Sequence, residues 1–491
     1  VLHLHRADRA DRLIGALAEA LGAAAEDPFA AEVVAVPTRG VERWLTQRLS
    51  MRLGADAGRG DGICANVAFP SPRRLVDEVV AAASGFDPDV DPWLPERMVW
   101  PLLETVDAHL GEPWLAEVAA HLDRGRGDRS RRLRMVQHLA VLYDRYALYR
   151  PELLQGWHAG ASASAGDADA NWQAELWRRL RARLQEPSPA ERQESACRRL
   201  LADPDLSPLP ERISLFGLTR LPARHLEVLA ALADARDVHL LLLQPSDASW
   251  RTVAAAFERH GPVRGRAQLP AAVLPANPLL ASWGRDAREL QLAIASVADA
   301  ATDHHHHVEE ADGDAPRTLL QHLQADVRAD RAPAPAAGAA AAPADRSLQI
   351  HGCHGTGRQV EVLRDAILHA LQDDPTLEPR DIIVMCPDIE LFAPLIEATF
   401  GAGEALLGEG AREGRPVAGA DLRVRLADRA LRETNPVLGV VARLLELTTA
   451  RITASEVLDL ADREPVRRRF RLGQDDLSRL EEWTAAAGAR W

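Results

Sequence analysis

Short apolar runs alternate with amphipathic helical stretches over the first part of the chain, and this alternation restricts the fold more than any other feature. VLHLH reads as a strand, and RADRADRLIGALAEALGAAA as a helix with Leu13, Ile14, Leu17 and Leu21 on one face. AEVVAVPTRG reads as a buried strand that ends in a turn, and VERWLTQRLSMRL as the helix after it. Further on, RISLFGL and DVHLLLLQPS are strands again, with the helix LPARHLEVLAALADA between them. Strand–helix–strand order of this kind builds a parallel sheet covered by helices. From about residue 86 to 205 the pattern is almost wholly helical. A helical insertion inside a parallel-sheet domain accounts for that order.

Residues 330 to 345, DRAPAPAAGAAAAPAD, are rich in alanine and proline and nearly devoid of bulky side chains, so they pack no core and read as a linker. After them the α/β pattern restarts with SLQIHGC, a helix from Val360 to Leu371, RDIIVMCPD, and a helix through Leu391 and Ile396. The expected organisation is a first α/β domain over 1–329, the linker, and the start of a second over 346–491. The sequence stops at GARW directly after an amphipathic segment, and we expect it to be the front part of a longer chain.

The second domain opens on IHGCHGTGRQVEVL, where Gly352 and Gly357 have the glycine spacing of a phosphate-binding loop. Such a loop continues with Lys and then Ser or Thr; here Arg358 and Gln359 follow. The chain holds no lysine at all, since every one of its 58 basic residues is arginine. A planar guanidinium does not replace the flexible ammonium that reaches the β- and γ-phosphates, and glutamine is a poor holder of Mg²⁺. The same absence excludes Schiff-base lysine chemistry.

The length of 491 residues allows two to four domains, and 47% hydrophobic with 26% charged residues is an ordinary globular composition. Cys64, Cys197, Cys353 and Cys386 lie far apart without ligand spacing, which fits a reducing compartment and neither a disulfide framework nor a zinc finger. No run approaches the ~18 apolar residues of a membrane span, and the first residues have no signal-peptide pattern. A cytoplasmic protein without membrane contact is expected. The net charge of −14 argues against indiscriminate polyanion binding. Even so, Arg124 to Arg150 holds eight arginines against Asp128 and Asp144, and Arg467, Arg468, Arg469 and Arg471 form a second cluster. Such stripes suit a nucleic-acid channel or, more commonly, a solvated helix face. The run DHHHHVEE at 303 to 310 lacks the ligand spacing of a metal site and is expected to be a flexible loop.

Two RecA-like units in series, the first with a helical insertion, are the layout of a superfamily 1 helicase. The catalytic residues of that layout are missing from their places. The first strand and helix read HLHRADRADRL, with no glycine and no Lys-Ser/Thr pair, and RISLFGL ends in Phe216, Gly217 and Leu218 rather than Asp-Glu. The segments DPFAAEVVAVPTRGVERWLTQRLS, ANVAFPSP, YALYRPELLQGW, NWQAELW, RISLFGLTRLP, NPLLASWGRDAREL, QVEVLRDAI, DPTLEPRDIIVMCPDIELFAPLIEATFG and NPVLGVVARLL, in that order, resemble the RecC family, the gamma subunit of exodeoxyribonuclease V or RecBCD complex. The resemblance runs from Val1 to Trp491, and family members are roughly twice as long.

The resemblance implies tandem RecA-like units without ATPase motifs and a subunit that is itself non-catalytic. It implies RecB-like and RecD-like partners, which use the ATP and Mg²⁺, together with double-stranded DNA ends and single strands. Splitting the duplex, channelling single strands and scanning for the Chi regulatory sequence in recombination and repair are the implied functions. Carried over by position, Leu142, Asp144 and Arg150 match the family's scanning surface, whereas Val141 replaces an acidic residue and Arg145 a polar one. Gly40 and Trp44 match, while Pro37, Arg39 and Arg43 stand where the family has polar uncharged readers. Ser71 and Asp77 stand where an apolar side chain and a tryptophan are expected. Strand handling is therefore implied more firmly than reading of the usual Chi sequence. The resemblance also makes Gly355 and Gly357 turn residues of a unit that binds no nucleotide.

Tyr143, Tyr146 and Tyr149 are the only tyrosines and lie at i, i+3 and i+6 on one helix, interleaved with arginines. Stacked bases or a stripe buried against the core both suit that pattern. With the resemblance, the stripe is expected to pack while Asp144, Arg145 and Arg150 face a channel. An autonomous ATP-dependent helicase and a metal-dependent hydrolase are the alternatives, weakened by the missing lysine and by the histidine spacing. The expected result of a calorimetric titration with ATP·Mg²⁺ is no saturable heat; a one-site micromolar isotherm would overturn the non-catalytic reading.

Overall fold

The computed structural model describes residues 1–23, 27, 29–53, 62–123, 129–160, 168–260, 274–297, 301–306, 318–333, 345–410, 422, 424–427, 429, 434–448 and 451–490. They fall into two compact units, Val1–Leu348 and Gln349–Trp491.

The first unit is built on six strands: β1 (Leu2–Ala7), β2 (Glu32–Ala35), β3 (Val67–Ala68), β4 (Arg212–Phe216), β5 (Asp237–Leu243) and β6 (Thr302–His305). They form one sheet in the order β3-β2-β4-β5-β1-β6, with every pairing parallel. The register sets Leu4 beside Leu240 and Ile213 beside Val238. Leu2, Leu4, Val33, Ile213, Leu215, Val238, Leu240 and Leu242 therefore share one face and one core. On the opposite face Ala7, Val34, Phe216 and Leu241 share a second core. Parallel strands buried on both faces read as continuous apolar runs, as DVHLLLL does.

Each face has its own helices. α1 (Ala10–Gly22) and α2 (Arg39–Ser50) bring Leu13, Ile14, Leu17, Leu45 and Leu49 to the second core. α3 (Pro72–Ser84) brings Leu75, Val76 and Val79 to the first. Between α3 and β4 lie α4 (Pro95–His109), α5 (Ala116–Asp123), α6 (Arg129–Tyr149), α7 (Pro151–His158), α8 (Ala168–Leu184) and α9 (Pro189–Ala202). α4, α6, α7 and α8 enclose a core of their own, in which Leu102, Val136, Tyr143, Leu154 and Trp177 are buried. α9 lies inside the stretch read as an insertion, yet Ala196 and Leu200 return to the sheet's core. α10 (Ala223–Ala233), α11 (Asp247–His260), α12 (Pro278–Ser282), α13 (Arg285–Val297) and α14 (Leu319–Arg328) complete the unit. Of the expected linker, residues 334–344 lie outside the described residues.

The histidine run departs from expectation. Its first residues are no loop: β6 pairs with β1, setting His304 beside His5, while residues 307–310 lie outside the described ones. β1 carries histidines at alternate positions, so His3 and His5 meet His239, His304 and His306 on one face. The rings of His3 and His239 stack at 4.6 Å, and His5 places Nδ1 3.0 Å from His306 Nε2 and Nε2 3.0 Å from His239 Nδ1. An edge strand tolerates polar side chains that a central strand would have to bury. Among the described residues no group of His, Cys, Asp or Glu is arranged to hold a metal ion.

In the second unit, α15 (Thr356–Asp373) packs on α16 (Ile389–Gly410) through Val360, Ile396 and Phe400. α15 starts four residues before the expected Val360. Gly355 takes φ +85° immediately before the helix, so it is a turn glycine, but Gly357 lies within the first helical turn. α17 (Pro436–Leu447), α18 (Ala454–Asp462), α19 (Glu464–Phe470) and α20 (Gln474–Ala486) follow. The strands expected in SLQIHGC and RDIIVMCPD do not form. A strand needs a neighbour to take its N–H and C=O groups, and the described residues of this unit offer none; Ile350 and Met385 are 92% and 90% exposed.

Burial first, then the neighbouring rings, holds His5 down at about 3 and His239 at about 4. Histidines depressed in this way bind protons more readily unfolded than folded. Their contribution is complete above the unfolded value of about 6.5 and is lost as pH falls from there towards 4. We expect the Tm of the full-length protein to drop between pH 7 and 5, each such ring costing up to about 1.4 kcal/mol per pH unit. His5→Leu should flatten that limb in melts at constant ionic strength; an unchanged slope would remove the histidine row as its source.

Candidate nucleic-acid interface

The sheet's C-terminal edge, where β2 and β3 end, is where the candidate residues begin. Open parallel sheets bind ligands outside this edge, because the loops and helix N-termini gather there. Here the two loops are joined directly, the Val36 N–H donating to the Pro70 carbonyl at 3.0 Å. Thr38 caps α2, its hydroxyl accepting from the Val41 N–H at 3.3 Å. Ser71 caps α3 in the same way, accepting from the Arg74 N–H at 3.2 Å, with Pro72 at the first helical position. The Ser71 hydroxyl therefore has a structural task at this edge.

α2 buries Leu45 and Leu49, which turns Arg39 and Arg43 outward one helical turn apart. Trp44 is half-buried, its ring 6.1 Å from that of Phe216. Pro37 is exposed and Gly40 half-buried. α2 and α3 cover opposite faces of the sheet, so the residues they carry are close together only at the joined loops.

α6 reaches α3 through an arginine that the sequence reading did not single out. Arg73 donates to both carboxylate oxygens of Asp144, at 2.7 and 3.0 Å, and to Asp77 at 3.4 Å. This two-pronged pair joins the insertion to a sheet-covering helix. The hydrogen bond to Asp144 holds Arg73 well above the usual arginine range. Burial pushes the Asp77 carboxyl up, against the pull of Arg73. On α10, burial and then the Arg73 charge bring His225 down to about 4. The available sequence signal for Arg73 was its i, i+4 spacing to Asp77.

The rest of α6 divides by depth. Tyr143 is 1% exposed and donates to the Gln173 carbonyl at 2.9 Å; Tyr146 donates to Gln173 Oε1 at 2.9 Å and meets Trp157 edge-on. Tyr149 is 52% exposed. The stripe thus packs at two tyrosines and opens at the third. Leu142 is half-buried against the insertion's core, while Val141 and Arg145 are exposed. Arg150 forms the corner between α6 and α7: its N–H donates to Tyr146 O at 2.8 Å, its carbonyl accepts from Leu153 N at 3.0 Å, and its side chain is exposed. The structure unites Asp77 and Asp144 around Arg73 and joins the loops leading to Arg39 and Ser71. Leu142, Arg145 and Arg150 come together only through α6 and its end.

The loop after β1, where a helicase holds the nucleotide phosphates, carries Asp8, bridged to Arg12 at 2.5 Å and Arg328 at 3.9 Å. A buried carboxylate here is the opposite of a phosphate cradle. At the end of β4, Gly217 takes φ +71° and donates its N–H to Leu241 O at 3.2 Å. No helix among the described residues is long and apolar enough to cross a membrane, and all four cysteines are free thiols.

Residues 2–330 match the description "RecC, N-terminal domain", and residues 434–491 match "RecBCD enzyme subunit RecC fourth domain". The chain is 44% identical over 497 residues to the RecBCD enzyme subunit RecC of Mycobacterium tuberculosis, covering 100% of this chain and 43% of that protein. It is 45% identical over 498 residues to the protein of the same name from Mycolicibacterium smegmatis, again with 100% and 43% coverage. With that of Escherichia coli it shares 28% over 513 residues, 95% of this chain and 43% of the relative. The chain thus spans well under half the length of the curated relatives it matches. A single family accounts for a doubly covered parallel sheet, its helical insertion and collinear likeness along the whole sequence: the chain belongs to the RecC family.

Proposed function

We propose that this chain is part of a non-catalytic DNA-handling subunit of a RecBCD-type helicase and nuclease, acting in double-strand break repair and recombination. The subunit splits the duplex at a DNA end, channels the single strands and presents a surface that responds to a regulatory sequence. RecB-like and RecD-like subunits are its partners and use the ATP and Mg²⁺; this chain binds neither. The cytoplasm is its place of action. The observation that carries the reading is the likeness to the RecC family along the whole chain, and the exposed Arg39, Arg43, Arg145 and Arg150 on α2, on α6 and at its corner are compatible with it. An autonomous helicase would need a phosphate cradle where Asp8 stands, and a metal hydrolase would need converging ligands, so neither alternative gains support.

Within this reading Asp77 and Asp144 position α6, and Arg39, Arg43, Trp44, Leu142, Arg145 and Arg150 meet the strand. Arginine–phosphate contacts release counterions, so binding to forked or single-stranded DNA weakens steeply with salt. Arg150 stands at a helix corner held by backbone bonds, which frees its guanidinium to pair with a guanine edge, worth about 1–3 kcal/mol of discrimination. In the assembled complex Arg150→Ala is expected to keep the unwinding rate and lose or relax the response to the regulatory sequence. A uniform loss of affinity for all sequences, with the salt slope falling by about one unit, would make Arg150 a phosphate contact instead. A lowered Tm with unchanged DNA response would remove α6 from the scanning surface.

A further inference from the structure

Beyond the end of β5, between α11, α12 and α13, lies a cavity of about 50 Å³ lined by Gln244, Ser246, Ser249, Trp250, Arg288 and Gln291 among others. None of these residues belongs to the proposed DNA-handling group. Arg288 is only 9% exposed, and neither its Nε nor its Nη1 has a hydrogen-bond partner among the described residues. Burying a guanidinium with unmatched donors is unfavourable, because the lost water contacts are not replaced. Burial accordingly lowers its proton affinity, with Glu289 and Asp330 opposing that effect and Arg285 adding to it. Asp330 is engaged elsewhere, accepting from the Asn277 N–H at 3.0 Å.

The other walls supply donors rather than acceptors. The buried Arg6 takes both glutamine oxygens through Nη1, Gln244 Oε1 at 3.2 Å and the Oε1 of Gln291. It is itself neutralised by Asp303 at 2.7 Å and lies over the Trp250 ring at 5.4 Å. Gln244 spends its amide N–H on Asp247 at 3.1 Å. With its oxygen already accepting from Arg6, Gln291 can turn its amide N–H₂ to the cavity as a donor. Ser246 is fully used, donating to Arg328 O at 2.8 Å and accepting from the Ser249 N–H at 3.1 Å. The two uncompensated donors of Arg288, on a fixed positive charge, favour an anion and repel a metal ion. A volume of about 50 Å³ exceeds the ~10–15 Å³ that one water needs and suits a small ion.

We propose that this cavity is a binding site for one phosphate-class oxyanion, held by Arg288 with Gln291. The group arrives either as free orthophosphate or as a backbone phosphate of a DNA strand. In thermal melts of the full-length protein, sodium phosphate should raise the Tm saturably, whereas sodium chloride at matched ionic strength should not. Arg288→Gln should weaken the half-saturating concentration at least about tenfold, the loss of a charge-assisted contact. Arg288→Lys, which keeps the charge without the fork, should retain part of the effect. Arg97→Gln, at an exposed position on α4, should behave as wild type. Equilibrium dialysis of wild type against radiolabelled phosphate should give one ion per chain, and this holds the proposal to account if Arg288→Gln does not fold. Equal Tm shifts from chloride, an undiminished response in Arg288→Gln, or no stoichiometric phosphate in dialysis would each overturn it. Displacement of the bound ion by a short single-stranded oligonucleotide identifies the backbone phosphate as the source, and failure to displace it identifies the free ion.

Discussion

A parallel sheet has no face to spare for solvent, and the organisation of the first unit follows from that requirement. Parallel neighbours are joined only by crossovers long enough to run back over the sheet, so every strand commits the chain to covering helices. β2, β4, β5 and β1 meet the demand on both sides, with Leu240 in one core and Leu241 in the other. The insertion forms a further core around Tyr143 and Trp177, and its last helix, α9, returns Ala196 and Leu200 to the sheet. Packing of α9 holds that helical body to the sheet, and the Arg73–Asp144 pair adds a second tie.

The central strands were legible because burial on both faces leaves only apolar residues to choose from. DVHLLLL and RISLF announce themselves, and the helices between them carry their apolar residues at helical spacing. β6 was not legible because an edge strand is under no such pressure. Its signal lay elsewhere, in the alternate histidines of VLHLH, which find matching rings only when another histidine-bearing strand lies alongside. SLQIHGC and RDIIVMCPD failed for the opposite reason: they have the composition of strands but no neighbour among the described residues, and composition alone does not supply an edge.

For the candidate site, position was more legible than role. The turns PTRG and PSPR pointed to the ends of β2 and β3, and the structure joins them by one backbone bond. What a single sequence does not convey is which side chains are already committed. Ser71 carried over as a contact residue, yet its hydroxyl caps α3. Asp144 carried over likewise, yet both its oxygens are held by Arg73. The Ser71 cap is local and its signal was the Ser-Pro pair that opens α3, whereas the Asp144 commitment depends on a residue 71 positions away, which no periodicity records.

Commitment also bears on which arginines could meet DNA in the proposed role. A chain with a net charge of −14 and no lysine has more carboxylates than cations, so most guanidinium groups should be neutralised before any phosphate arrives. The structure shows that happening at depth: Arg192 pairs with Asp91 at 2.5 Å while lying 4.1 Å over the Phe86 ring, and Arg181 pairs with Glu191 at 2.9 Å. Arg39, Arg145 and Arg150 differ, since their exposed side chains form no hydrogen bond or ion pair among the described residues. All three lie on α2, on α6 or at the α6–α7 corner. In an acidic protein, long-range attraction to a polyanion is weak, and screening confines what remains to about 10 Å. On the proposed reading, strand contact then comes from individual guanidinium groups at short range, where a planar fork grips a phosphate or a guanine edge better than an ammonium. Other exposed arginines, Arg97 and Arg198 among them, are likewise without a side-chain partner among the described residues, so on the proposed reading it is their place on α2, on α6 and at its corner that singles out Arg39, Arg145 and Arg150.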